Sequence, residues 1–159
     1  MLMDEGKELA KLAKDYLSEI EALDKLIDRK QTERDYLYNR CFKITATLKP
    51  DVVSTSNNNN GFDDILAKVD AFDREINKDI DRLIDIRLEA VRRLISLNNQ
   101  DFYDVLHMKY FEYDIYDNFE KIAKQMHCDY RTATRKHGEA LVAFGKLLKS
   151  CPQMSYDAL

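Results

Sequence analysis

Residues 118–144 read NFEKIAKQMHCDYRTATRKHGEALVAF, two apolar stripes with a short break between them. Phe119, Ile122, Ala123 and Met126 fall at i, i+3, i+4 and i+7, the buried line of a short amphipathic helix. Asn118 stands before that line as an N-cap. The break is His127-Cys128-Asp129, and a second stripe follows at Ala133, His137, Ala140, Leu141 and Phe144, with Asp129 placed to cap it. The spacing predicts a helix-turn-helix. Ala123 sits where the two helices must cross closely, so a small side chain is needed there. The turn position four residues later takes a positive φ in such motifs and is usually glycine. Here it is His127, a residue type enriched in the left-handed region among non-glycines, though still uncommon there.

The outward face of the second helix separates a nucleic-acid reader from a plain helical pair. Between residues 121 and 149, seven basic residues (Lys121, Lys124, Arg131, Arg135, Lys136, Lys146, Lys149) stand against Asp129 and Glu139, a net of +5. Between 101 and 120, Lys109 stands against Asp101, Asp104, Glu112, Asp114, Asp117 and Glu120, a net of −5. The whole chain carries only −4, so the distribution of charge argues for a polyanion partner while the total argues weakly against one. Tyr130, Arg131, Thr132, Thr134 and Arg135 lie near the start of the second helix, the end that meets base edges in a DNA major groove. Arginine suits bidentate contact with guanine. A solvated basic face on a purely structural three-helix unit would give the same pattern, and that alternative stays open.

A resemblance adds to this reading. Leu106-His-Met-Lys-Tyr110, then Phe119-Glu-Lys-Ile122-Ala123, then Ala140-Leu141, look like region 4 of bacterial sigma factors. The chain is closer still to the sigma-region-4-like phage transcriptional regulators described as ArpU-like. Those carry a long N-terminal helical region and a C-terminal run similar to residues 131–141, RTATRKHGEAL. The tight likeness covers about residues 98–148. It implies an all-α fold, double-stranded DNA as partner and a sigma-like contact with RNA polymerase. By position it also implies that Tyr130, Arg131, Thr134 and Arg135 face bases. Thr132 and Lys136 would serve the flank or backbone. Charge alone makes Lys121, Lys124, Lys136, Lys146 and Lys149 expected phosphate contacts or near-phosphate charges. Three positions depart from the family pattern: Phe119 stands for tryptophan, His127 for glycine, and Tyr130 for a basic or polar residue.

Upstream, residues 7–48 carry Ala13, Tyr16, Ile20, Leu23, Ile27, Lys30, Arg34, Leu37, Cys41, Ile44 and Leu48 in steps of three and four, the rhythm of a coiled-coil seam. Lys30 and Arg34 interrupt it with charge, and such side chains can bury their stems while their heads reach water. Leu12, Leu17, Leu26, Tyr38 and Phe42 widen the stripe, which implies more than one packing partner. The stretch 50–61, PDVVSTSNNNNG, breaks the pattern, because its proline disfavours helix before it and its polar run has little to bury. A second long series follows at Phe62, Ile65, Val69, Phe72, Ile76, Ile80, Leu83, Ile86, Ala90, Leu94 and Leu97. Equal distances to the break predict an antiparallel pairing with Leu37 near Phe72 and Ile76. The expected organisation is all-α. A coiled-coil-like antiparallel helical hairpin over 1–97 has a flexible loop at 50–61, a helix-turn-helix domain covers 98–150, and a tail covers 151–159. So much exposed apolar surface on an isolated hairpin predicts a homodimer through residues 7–97 or docking on another protein, the alternative being a monomer whose arm folds back on its own C-terminal helices.

Composition sets the outer bounds. The chain has 159 residues, 34% of them charged, with four glycines, two prolines and no tryptophan, a profile of solvent-laced helices rather than sheets. No apolar run approaches the roughly 20 residues that span a bilayer, and the acidic start lacks a signal-peptide layout, so a cytoplasmic protein with no membrane partner is expected. Cys41, Cys128 and Cys151 form no C-x-x-C pair, and His127, Cys128 and His137 lack a fourth ligand and ordinary zinc spacing. No metal or cofactor is expected. His107, His127 and His137 have no nucleophile at motif spacing and no Gly-rich phosphate loop is present, so the chain does not read as an enzyme. Two classes remain: a sequence-specific regulator of phage or prophage transcription, and a small-terminase-like packaging protein or other helical interaction scaffold. A dimer on a palindrome favours the regulator, and an eight-to-ten-subunit ring the terminase reading. Small terminases usually carry the DNA-binding motif at the N-terminus, whereas here it is C-terminal.

Overall fold

The computed structural model describes residues 2–47, 59–114 and 116–150, and side chains within them except at 2–4, 44–47 and 59–62. The protein is all-α, with no strand among the described residues. Its helices are α1 (Leu2–Thr47), α2 (Asn59–Ser96), α3 (Gln100–Tyr110), α4 (Phe119–Gln125) and α5 (Tyr130–Ser150). α2 starts at Asn59, inside the stretch expected to be loop; the rest of that loop and the 151–159 tail lie outside the described residues.

Two compact units divide the chain: Met1–Ala22 with Asp85–Leu159, and Leu23–Ile84. The boundary expected at 97/98 therefore falls inside the first unit. The reason lies in what the ends of the long helices touch. Gly145 of α5 lies so close to α1 that a Cβ there would run into the Leu9 carbonyl, and the Phe144 ring sits 5.9 Å from that of Tyr16. From α2, Arg87 donates to the Phe111 carbonyl at 3.0 Å with its guanidinium over the Phe111 ring. The apolar faces at 9–20 and 90–94 are thus core of this unit: Leu9, Ala13, Leu17, Ile20, Ala90 and Leu94 are all buried.

In the unit Leu23–Ile84, α1 and α2 run side by side in opposite directions. Lys30 bonds Glu75 and, at 2.6 Å, Asp79; Arg34 and Tyr38 both reach Asp73 at 3.2 Å. Partners fall in number as the chain rises from 30 to 38, the antiparallel order, and the pairing of 34 and 38 with 73 lies within a turn of the register read from the sequence. The two charged seam positions are therefore occupied by ion pairs rather than open. Ile27, Cys41, Val69 and Ile76 are buried along the seam, while Leu26 and Phe42 of the widened stripe are exposed.

Candidate nucleic-acid interface

Local capping explains how α3, α4 and α5 begin. Asn99 accepts from the Phe102 amide at 3.2 Å, Asn118 from that of Lys121 at 3.0 Å, and Asp129 from that of Thr132 at 2.7 Å. Each satisfies one donor that the first helical turn leaves without a partner. The Thr132 amide also holds the Asp129 carboxyl below its ordinary range. Between α4 and α5 the chain turns at His127, whose φ is 51°, the left-handed region. That value lets the Cys128 amide close back on the Ala123 carbonyl at 3.0 Å and ends α4 after two turns. Ala123 is buried on α4 beside Ile122, and Ala133, Ala140 and Phe144 are buried on α5. α5 packs on both α3 and α4.

His137 ties these three helices together. Its Nε2 is 3.2 Å from the Tyr110 hydroxyl on α3, and its ring meets that of Phe119 on α4 edge-on at 4.9 Å. Burial pushes the imidazole down to about 4, with the charges of Lys109 and Lys14 adding to the shift. Burial, with a contribution from Glu21, pushes the Tyr110 hydroxyl up to about 12. Both groups are neutral at pH 7. His137 is a packing residue.

The exposed side of α5 carries Arg131, Thr134, Arg135 and Gly138 at i, i+3, i+4 and i+7, in one line. Arg131 is exposed, and Arg135 keeps 66% of its side chain exposed while reaching Glu139 at 3.5 Å. Thr134 donates its hydroxyl proton back to the Tyr130 carbonyl at 2.9 Å, so toward a ligand it can only accept. Tyr130 is 57% exposed, its ring edge-on to Phe119 at 6.4 Å. Gly138 is a position the sequence reading left out, although its spacing from Arg131 and Arg135 marks it. Nothing lies within 4 Å of where its Cβ would be, so the face is flat and open there.

The remaining expected contacts divide. Lys124 is exposed on α4, and Lys121 stands three residues before it with its ammonium 3.1 Å from Asp117. Thr132 is half-buried and serves the cap through its amide. Lys136 is turned toward α3, where it meets Asp101 at 2.7 Å with only 22% of its side chain exposed. The acidic segment 101–120 therefore neutralises part of the basic one within this unit. Among the described residues no three His, Cys, Asp or Glu side chains gather where they could hold a metal ion, and no helix is long and apolar enough to cross a membrane. Cys41 is buried and Cys128 half-buried, and Cys151 lies outside the described residues.

Comparison with known proteins returns no matching family model, no matching curated protein and no matching solved structure. The likeness to sigma region 4 therefore rests on this chain's residues alone.

Proposed function

We propose that this protein is a sequence-specific DNA-binding regulator of phage or prophage transcription that reads a major groove with α5. The observation that carries the reading is the line of Arg131, Thr134 and Arg135 on the open side of α5, directly after a capped turn with His127 in the left-handed region. Two exposed arginines one turn apart suit bidentate contact with guanine edges, and the Thr134 oxygen can accept from a base amino group. The exposed Lys124 and the solvent-facing Lys121 are phosphate contacts. Lys136 is left to hold Asp101. The sigma-like likeness extends the proposal to a contact with RNA polymerase.

The test begins with selection of bound fragments from random duplexes, followed by titration on the selected site. Arg131→Ala and Arg135→Ala should each weaken specific binding by about 1–3 kcal/mol and leave random-duplex binding nearly unchanged. Log affinity should fall by about 0.9 per phosphate contacted for each unit of log salt. No retention on any duplex at low salt removes the reading, and unchanged specific affinity in both arginine variants removes α5 as the reading helix.

A further inference from the structure

We infer that the outer side of α2 is an antiparallel, two-fold interface between two copies of this chain. α2 buries one side, through Val69, Ile76, Ala90 and Leu94. Roughly a quarter of the way round the helix from that side it carries Ile84, Leu88, Val91 and Ile95, spaced four, three and four. Ile84 is 49% exposed, Leu88 50% and Ile95 63%, and Val91 is half-buried between them. Four apolar residues in a–d spacing along one continuous helix, three of them exposed, form the stripe of a coiled-coil seam. The seam spans about 17 Å at the α-helical rise.

The charges beside the seam select its occupant. Asp85 and Arg92, both exposed, flank the same edge two turns apart. If Ile84 faces the partner's Ile95 and Leu88 the partner's Val91, Asp85 of each copy lies beside the partner's Arg92. A two-fold axis makes that pair twice. Parallel pairing would instead set Arg87 beside the partner's Arg92, two like charges in a register that repels. Arg87 cannot turn aside without leaving the Phe111 carbonyl it bonds at 3.0 Å. The face thus carries its own complement in one orientation only. The seam is short against a standard interface of about 1,600 Å², so the dimer is weak and reversible. This inference stands whether or not the chain binds DNA.

Sedimentation of the full chain over about 1–300 µM should show a monomer–dimer equilibrium within that range. Leu88→Lys should remove the dimer while circular dichroism keeps the helical signal, because residue 88 is already half exposed. Asp85→Arg and Arg92→Asp should each weaken association by about tenfold or more, since each sets like charges together. The double variant Asp85→Arg/Arg92→Asp should restore the wild-type constant. A wild type that stays monomeric throughout, or a dimer indifferent to Leu88→Lys, overturns the interface. A double variant no better than the singles, or tighter association in Arg92→Asp alone, overturns the antiparallel pairing.

Discussion

The unit Met1–Ala22 with Asp85–Leu159 and the unit Leu23–Ile84 are built from the same two long helices but held by different forces. In the first, three short helices give α1 and α2 something to bury against, and Phe144, Leu106, Ile122, Leu17 and Leu94 are all fully buried. In the second, two helix segments face each other among the described residues, and Lys30, Arg34 and Tyr38 reach across to Glu75, Asp79 and Asp73. A layered core excludes water and makes shape decisive. A two-helix pair leaves its seam near solvent, where long charged side chains can stay hydrated and still set direction and register.

That contrast is open to direct attack, beginning in the core. Phe144→Ala should lower stability by about 3–5 kcal/mol in urea unfolding, because a fully buried ring leaves a cavity that the crossing of α1 and α5 cannot close. A loss below about 1 kcal/mol would show that shape is not decisive there.

Acid tests the same core through His137. Its pKa in the fold, about 4, lies below the ordinary 6.5, so its contribution is fully present above 6.5 and is lost as pH falls through 6.5 toward 4. That lowering corresponds to about 3 kcal/mol at full protonation, an upper figure for a partly buried ring. Melting temperatures of the wild type and His137→Gln should therefore converge between pH 7 and pH 4.5. Parallel curves would mean that the imidazole is not held neutral.

The smallest effect belongs to the ion-paired unit. Asp73→Ala removes the common acceptor of Arg34 and Tyr38 and should lower the helical melt by less than either change above. The loss should shrink further in about 1 M salt, where the Debye length falls to about 3 Å. A loss that is large and indifferent to salt would make Asp73 a packing residue and weaken the contrast.

Local signals made much of the C-terminal part legible before any fold was known. Asn118 and Asp129 cap the helices they precede, and His127 adopts the positive φ that the turn demands. Each of these is decided by a few neighbouring residues, so spacing alone carries it. The line of Arg131, Thr134 and Arg135 follows from helical periodicity in the same way. Lys136 did not follow, since the acceptor that turns it inward, Asp101, is 35 positions away on another helix. Charge counting sees both residues and cannot tell whether they meet.

By itself, then, the sequence determined an all-α protein and the residues that cap α4 and α5. These are properties of periods three, four and seven and of single capping residues, which act within one or two turns. Only the tertiary structure decided that the first turns of α1 belong with α5 rather than with the rest of the hairpin. The decision rests on Gly145, which lets the helix backbones touch at Leu9, and on the Phe144 ring beside Tyr16. A glycine or a phenylalanine on an apolar stripe announces burial but not its partner, because the hydrophobic effect rewards buried area without specifying which surface does the covering.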